Sequence, residues 1–391
     1  MRRISVFGAT GSIGQSTLDL LGRAPDAFDV VALTGGRNIA ALAAAARAHR
    51  AEVAVTAYPD CLGDLRAALA GSGIAAAAGP EAIAEAADRP ADLAVSAIVG
   101  AAGLVPGLRA AARGTTVALA NKESLVCAGP LLIATARAAG ARILPVDSEH
   151  SAIFQALAGE DMASVERVII TASGGPFRDW PADRLARATP AEAVRHPNWS
   201  MGARISVDSA SLFNKAMELI ETREFFAIPP ERIEVLVHPQ SIVHALVAHV
   251  DGGVIAHLGP PDMRHAIGYA LNWPDRAPLP VARLDLARIG ALTFEAPDPV
   301  RFPALRLARE VMAARGMAGA VFNAAKEIAL DHFLDGRVGF TAMAAIVEAT
   351  LARMSAEPGF TSAPDRLEIV LDFDHLARRR ADEAARTLAG G

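Results

Sequence analysis

The chain has 391 residues, 52% of them hydrophobic, and a formal charge of −5. That length suits two or three domains with ordinary cores, and so mild a charge excludes a polyanion-binding surface and hence a nucleic-acid partner. Cys61 and Cys127 are too few for a disulfide framework and lack metal-ligand spacing, which predicts reduced, buried thiols in a cytoplasmic protein.

Up to about residue 146, short β-rich runs alternate with alanine-rich stretches of helical period. The strand candidates are "RISVF", "FDVVALT", "AEVAV", "GIAAAA", "ADLAVSAI", "GTTVALA" and "ARILPV", with helices such as "NIAALAAAARAHR" and "PEAIAEAADR" between them. This alternation predicts an α/β fold, a parallel sheet with helices on both faces. The apolar run Ile4 to Phe7 is too short for a signal peptide core, and no stretch reaches the roughly 18 apolar residues of a membrane span.

From 147 the pattern changes. "VERVIIT", "RIEVLVHP", "SIVHALVAHV" and "GGVIAHL" read as strands, the last three joined by short turns as in a meander. Residues 173–202 are irregular, 281–301 read as a linker, and 302–391 are helical in pattern. The expected division is 1–146, 147–280, the linker, and a C-terminal helical bundle.

The first strand runs directly into "GATGSIG", residues 8–14, which opens a helix. A glycine turn at that place lets backbone approach a pyrophosphate, and the helix N-terminus offers unpaired N–H groups and partial positive charge. The second strand ends "ALTGGRN". Gly36, Arg37 and Asn38 stand where an NAD-binding fold carries an acid for the ribose hydroxyl. An arginine there suits a 2′-phosphate, so NADPH is expected over NADH.

Asp147 and Glu149 follow the seventh strand. Were the strand to persist, both would point to one side and repel unless a cation lay between them; the alternative is an acidic cap on a helix beginning near His150. On this stretch alone the cap is slightly favoured. In "ISVDSASLFNKAMELIE" one amphipathic helix is expected, with Leu212, Ala216 and Leu219 on one stripe and Ser211, Asn214, Lys215 and Glu218 on the other. Such a face is ordinarily solvated. It would equally supply phosphate donors and a third carboxylate, Glu218, for an all-oxygen site suited to Mg²⁺ or Mn²⁺. His238, His244, His249 and His257 show no zinc-binding pattern and read as structural.

These residues resemble the 1-deoxy-D-xylulose 5-phosphate reductoisomerase family of the non-mevalonate isoprenoid pathway. The blocks that carry the resemblance are "GATGSIG", "GGRN", "LANKESLVCAG", "PVDSEHSAIFQ", "TASGGPF", "HPNWSMGARISVDSASLFNKAMELIE", "VHPQSIVHALV" and "LGPPDMRHAIGYALNWP", spanning essentially the whole chain. The resemblance implies an N-terminal Rossmann-like NADPH domain, a central α+β domain for catalysis, metal binding and dimerisation, and a C-terminal helical domain. It implies a homodimer formed through the central sheet. It assigns Thr10, Gly11, Ser12, Ile13, Gly36, Arg37, Asn38, Asn121, Glu123 and Gly202 to the cofactor. Asp147, Glu149 and Glu218 match divalent metal ligands, for Mg²⁺ or Mn²⁺ with Co²⁺ as a further candidate.

The same resemblance assigns Lys122, Ser148, Glu149, Ser173, His196, Trp199, Ser209, Asn214, Lys215 and Glu218 to the substrate, a small sugar phosphate. Lys122 and the three acids would serve the chemistry: rearrangement of the ketose phosphate skeleton, then hydride reduction to 2-C-methyl-D-erythritol 4-phosphate. "RHPNWSMG", residues 195–202, is too rich in turn formers for a helix or strand. Trp199 either anchors this loop on its own domain or, as the resemblance implies, closes as a lid. Ala9 and Lys326 depart from residues common in the family, and neither falls on a transferred position. A plain NADPH-dependent reductase, or a silent NADPH-binding regulator, would require no such carboxylate trio.

Overall fold

The computed structural model describes residues 1–199 and 202–389. In chain order its strands and α-helices begin β1 (Arg2–Phe7), α1 (Ser12–Arg23), β2 (Phe28–Gly35), α2 (Ile39–Ala48), β3 (Val53–Thr56), α3 (Leu62–Leu69), β4 (Ala75–Ala78) and α4 (Pro80–Ala87). There follow β5 (Leu93–Ser96), α5 (Leu104–Ala112), β6 (Thr116–Leu119), α6 (Glu123–Ala139), β7 (Ile143–Pro145) and α7 (Ser148–Ala156). The middle of the chain holds β8 (Val165–Ala172), α8 (Ala182–Leu185), α9 (Pro190–Ala193), α10 (Ala203–Ala210) and α11 (Phe213–Phe226). Then come β9 (Ile233–Val237), β10 (Val243–His249), β11 (Val254–Leu258), α12 (Met263–Asn272) and α13 (Leu286–Ile289). The last four helices are α14 (Ala304–Ala314), α15 (Ala318–Leu334), α16 (Ala342–Met354) and α17 (Leu367–Ala389).

The chain forms two compact units. The first comprises Met1–Ser124, Leu132–Ser151 and Asp262–Ala282. Its seven strands make one parallel sheet in the order β4-β3-β2-β1-β5-β6-β7, as the alternating pattern predicts. Strands covered on both faces must be apolar throughout. Accordingly β3 and β5 are buried along their whole length, and Ile4, Val6 and Phe7 of β1 are almost wholly inaccessible. Connections run one way through β2, β3 and β4 and the other way through β5, β6 and β7. The boundary between β1 and β5 is therefore the topological switch point, where open parallel sheets bind ligands. Late in the chain α12 returns to pack against α1, and Arg264 reaches Asp19 at 3.2 Å.

The second unit comprises Leu125–Leu131, Ala152–Pro261 and Arg283–Gly391. Its four strands are ordered β11-β10-β8-β9, with β10 antiparallel to β8 and β11, and β8 parallel to β9. The expected meander is thus corrected. The β10–β11 hairpin is present, but β8 lies between β9 and β10. The segment from Pro181 to Phe226, with α8 to α11, forms the long crossover that a parallel β8–β9 pair requires. Helices α14 to α17 complete the unit, α15 packing against α16 and α17. The expected linker also does structural work: Glu295 bridges to Val237 at the end of β9, and Thr293 bonds Gln240 and His238. Both cysteines are buried thiols. No described helix is long and apolar enough to cross a membrane.

Candidate active site

In the first unit the glycine loop follows β1 at the switch point. Gly8 has φ +94°, and a Cβ there would lie 2.5 Å from the Ala97 carbonyl oxygen, so the loop passes against the end of β5. A Cβ on Gly14 would lie 2.3 Å from the Gly8 carbonyl oxygen, which is why the first turn of α1 can fold back onto the loop. Thr34 fixes the loop to β2, its hydroxyl accepting from Gly8 N–H at 3.0 Å and its carbonyl from Ala9 N–H at 2.7 Å. Gly11 is the N-cap of α1 and has no side chain to cap the helix. The first-turn N–H groups of Ser12 and Ile13, with Thr10 alongside, form the kind of cradle a pyrophosphate fills.

At the end of β2, Asn38 caps α2 by accepting from Ala41 N–H at 3.1 Å. Arg37 is solvent-exposed, ion-paired with Asp60 at 2.7 Å and stacked 3.9 Å over the Tyr58 ring. The hydrogen bond from Arg37 holds the Asp60 carboxyl below its ordinary range. Asp60 takes a single Nη1 contact, so the guanidinium retains further donors for a phosphate. Asn121 and Glu123 are buried and shape the loop after β5. Asn121 Nδ2 donates to the carbonyls of Ile98 at 2.7 Å and Gly100 at 3.0 Å, while Glu123 accepts from Gly100 N–H at 3.1 Å.

Asp147 and Glu149 do not sit on a strand. β7 ends at Pro145 and α7 starts at Ser148, so the strand premise is corrected and the helix-start geometry is the one adopted. The Asp147 carbonyl accepts the first helical bond, from Ser151 N–H at 2.8 Å. Both carboxylates nevertheless come together, an oxygen of each within 4.8 Å of the other. Lys122 Nζ lies 2.5 Å from Asp147 Oδ2, and Ser148 donates to Glu149 Oε2 at 2.5 Å. Burial would raise the pKa of Asp147, but Lys122, with His150 behind it, outweighs burial and holds the carboxyl well below its ordinary value. This is an anionic, all-oxygen pair at a helix N-terminus, and it fits a hard divalent cation.

In the second unit the expected single helix is two. α10 ends at Ala210, Leu212 takes a left-handed φ of +59°, and α11 restarts at Phe213. The polar stripe is not solvated either: Lys215 is 3% exposed and Glu218 1%. Lys215 Nζ and Asn214 Nδ2 both donate to the Glu218 carboxylate, the latter at 2.5 Å. Buried charge of this kind persists only when paired.

Ser173 follows β8 and meets the loop before α10. Its hydroxyl oxygen lies 2.9 Å from His196 Nε2 and accepts from Gly175 N–H at 3.1 Å. The other imidazole nitrogen, Nδ1, faces the N–H groups of Asn198 at 3.2 Å and Trp199 at 3.0 Å. Both are donors, so Nδ1 must be the acceptor, and Nε2 carries the proton. Burial lowers the His196 pKa to about 4, in keeping with a neutral ring. Ser173 therefore accepts twice and has its own proton to give to a ligand oxygen. Asn198 ties this loop to Pro239 and Ser241, and the Trp199 ring lies 6.4 Å from that of His244. Ser200 and Met201, in the middle of the loop expectation, lie outside the described residues. Gly202 caps α10.

One further buried pair has little signature in the sequence. Lys326 on α15 lies 2.9 Å from Asp208, the residue before Ser209, and the two side chains are 6% and 10% exposed. Lys326 thus departs from the family next door to a transferred position, not remote from one. Its signal was a polar patch, Asn323, Lys326 and Glu327, in an otherwise alanine-rich helix.

Comparison with known proteins decides the family. Residues 4–129 match the family model for 1-deoxy-D-xylulose 5-phosphate reductoisomerase, 143–226 its C-terminal domain, and 258–380 the DXP reductoisomerase C-terminal domain. The chain is 70% identical over 387 residues to the 1-deoxy-D-xylulose 5-phosphate reductoisomerase of Cereibacter sphaeroides, covering 98% of each chain. The chain belongs to the 1-deoxy-D-xylulose 5-phosphate reductoisomerase family.

The reductoisomerase of Ruegeria pomeroyi is 67% identical over 390 residues, covering 100% of this chain and 99% of its own. Among solved structures, the reductoisomerase of Zymomonas mobilis in complex with NADPH is similar at 48% identity and TM-score 0.93, covering 99% of this chain and 100% of its own. A DOX-P reductoisomerase in complex with NADPH, fosmidomycin and magnesium is similar at 40% identity and TM-score 0.94, over 100% of both chains.

Proposed function

We propose that this protein converts 1-deoxy-D-xylulose 5-phosphate to 2-C-methyl-D-erythritol 4-phosphate, using NADPH and a divalent cation, in isoprenoid precursor biosynthesis. The observation that carries the reading is the close Asp147–Glu149 pair with Lys122 against Asp147. A reductase that only transfers hydride has no use for two such carboxylates. Asp147, Glu149 and Glu218 would hold the cation, Mg²⁺, Mn²⁺ or Co²⁺, and the glycine loop with Gly36, Arg37, Asn38, Asn121, Glu123 and Gly202 the nucleotide. When bound, the cation supplies a Lewis acid for the ketone and adjacent hydroxyl, and the nucleotide supplies hydride.

The chain's own residues do the rest. Lys122 adds positive charge beside the acids and orients substrate hydroxyls, with Ser148 next to it. Ser173, Ser209, Asn214 and Lys215 present donors to the phosphate, and His196 fixes the direction of the Ser173 proton. Trp199 covers the substrate and excludes water while reactive fragments exist. We further infer a cytoplasmic homodimer, with a 1–146 nucleotide domain, a 147–280 catalytic domain and a C-terminal helical domain. Dimerisation is supported by edge strand β11, whose Val254 and Ile255 are exposed.

The test is metal dependence. Chelation should abolish NADPH oxidation with the ketose phosphate, and Mg²⁺ or Mn²⁺ should restore it. Asp147→Asn should lower kcat by about a hundredfold or more while NADPH affinity holds. Full turnover in a metal-free preparation would refute the reading.

A further inference from the structure

We propose that Lys326 is a positioning residue for the substrate phosphate, acting through Asp208 on the last turn of α10. The proposal rests on the reading of Ser173, Ser209 and Lys215 as phosphate contacts. Asp208 and Lys326 form a buried pair at 2.9 Å that ties α15 to α10. Ser209 comes next in the chain. Its carbonyl and the backbone of Ala210 lie against Gly175, where a Cβ would be 2.9 Å from either. Gly175 in turn donates to Ser173. A continuous packed path therefore runs from Lys326 to the relative placement of Ser209 and Ser173.

The second part is electrostatic. A buried carboxylate one residue from a phosphate contact repels a dianion across a weakly screening interior unless a cation neutralises it. Lys326 is that cation. Its neighbour Glu327 has partners of its own, Arg378 at 2.8 Å and Asn323 at 2.9 Å, with Lys326 adding to the positive charge around it, and Arg378 also pairs with Asp374. Removing either partner then has opposite consequences. Lys326→Met leaves a bare anion beside the phosphate and deletes the tether. Asp208→Asn removes the anion and keeps an oxygen to accept from Lys326.

The experiment measures KM and kcat for 1-deoxy-D-xylulose 5-phosphate, NADPH affinity, and inhibition by inorganic phosphate in the holoenzyme. Lys326→Met should raise KM and the phosphate inhibition constant by about tenfold or more, with kcat within about threefold and NADPH affinity unchanged. Asp208→Asn should not raise KM, and the double variant, free of the bare anion but without the tether, should lie between the parent and Lys326→Met, with KM still raised about threefold or more. A parent-like KM in Lys326→Met would overturn the proposal, as would losses spread equally over KM, kcat and NADPH affinity. Should Lys326→Met fail to fold, the double variant, which buries no unpaired charge, decides: a parent-like KM there overturns the proposal. If Lys215→Ala and Ser173→Ala leave phosphate inhibition unchanged, the phosphate reading itself is wrong and the proposal falls with it.

Discussion

At the scale of single residues, the site works by fixing which atom of each polar group is left to give. His196 shows this most directly. Two backbone N–H groups occupy Nδ1, so the ring is neutral with its proton on Nε2, aimed at Ser173. The pKa near 4 lies below the ordinary 6.5 of an unfolded histidine. Between those values the unfolded chain binds the proton and the folded one does not. The contribution to stability is therefore complete above pH 6.5 and lost as pH falls through about 4. Long-range ¹H–¹⁵N correlation at pH 6 should show His196 as the neutral Nε2–H tautomer, and the ring should not contribute an inflection to kcat/KM between pH 6 and 8. A doubly protonated ring at pH 6 would contradict the assigned hydrogen bonds. Lys122 acts by the complementary device, holding the Asp147 carboxylate ionised against its burial.

At the scale of elements, the decisive features are two interruptions. α7 begins immediately after β7, which turns Asp147 and Glu149 from strand residues into the start of a helix. The left-handed Leu212 ends α10 and lets α11 set out afresh with Asn214 and Lys215 in its first turn. Leu212 accepts this conformation because its side chain is buried, which offsets the roughly 1–2 kcal/mol that a non-glycine residue incurs there. Gly175 has no such latitude. It takes φ +65° with backbone atoms of Ser209 and Ala210 where a Cβ would be. Gly175→Ala should cost about 2 kcal/mol or more in chemical denaturation and raise KM for the phosphorylated substrate by displacing the Ser173 loop from α10. Unchanged stability and KM would mean that this contact is slack.

For the whole molecule, ligand binding should be readable in tryptophan emission. Trp180 packs on Phe177 at 4.4 Å and under Arg184 at 3.6 Å, and Trp273 lies under Arg142 at 4.2 Å. Both are held by neighbours from their own unit. Trp199 stands on the irregular loop, with His244 as a ring neighbour at 6.4 Å. A substrate-like phosphonate should shift the emission of the parent enzyme and leave Trp199→Phe nearly silent. An equal response in both would return Trp199 to the role of a fixed anchor. The parallel sheet and the glycine turn between β1 and α1 were legible in the sequence, because period and glycine spacing are properties of short segments. The four-stranded order β11-β10-β8-β9, the break at Leu212 and the burial of Lys215 and Glu218 were not. Each depends on which distant segment covers a given face, and a charged stripe reads the same in sequence whether water or a protein interior lies over it. The Lys326–Asp208 pair is the clearest case: 118 residues separate partners whose meaning arises only from their 2.9 Å contact.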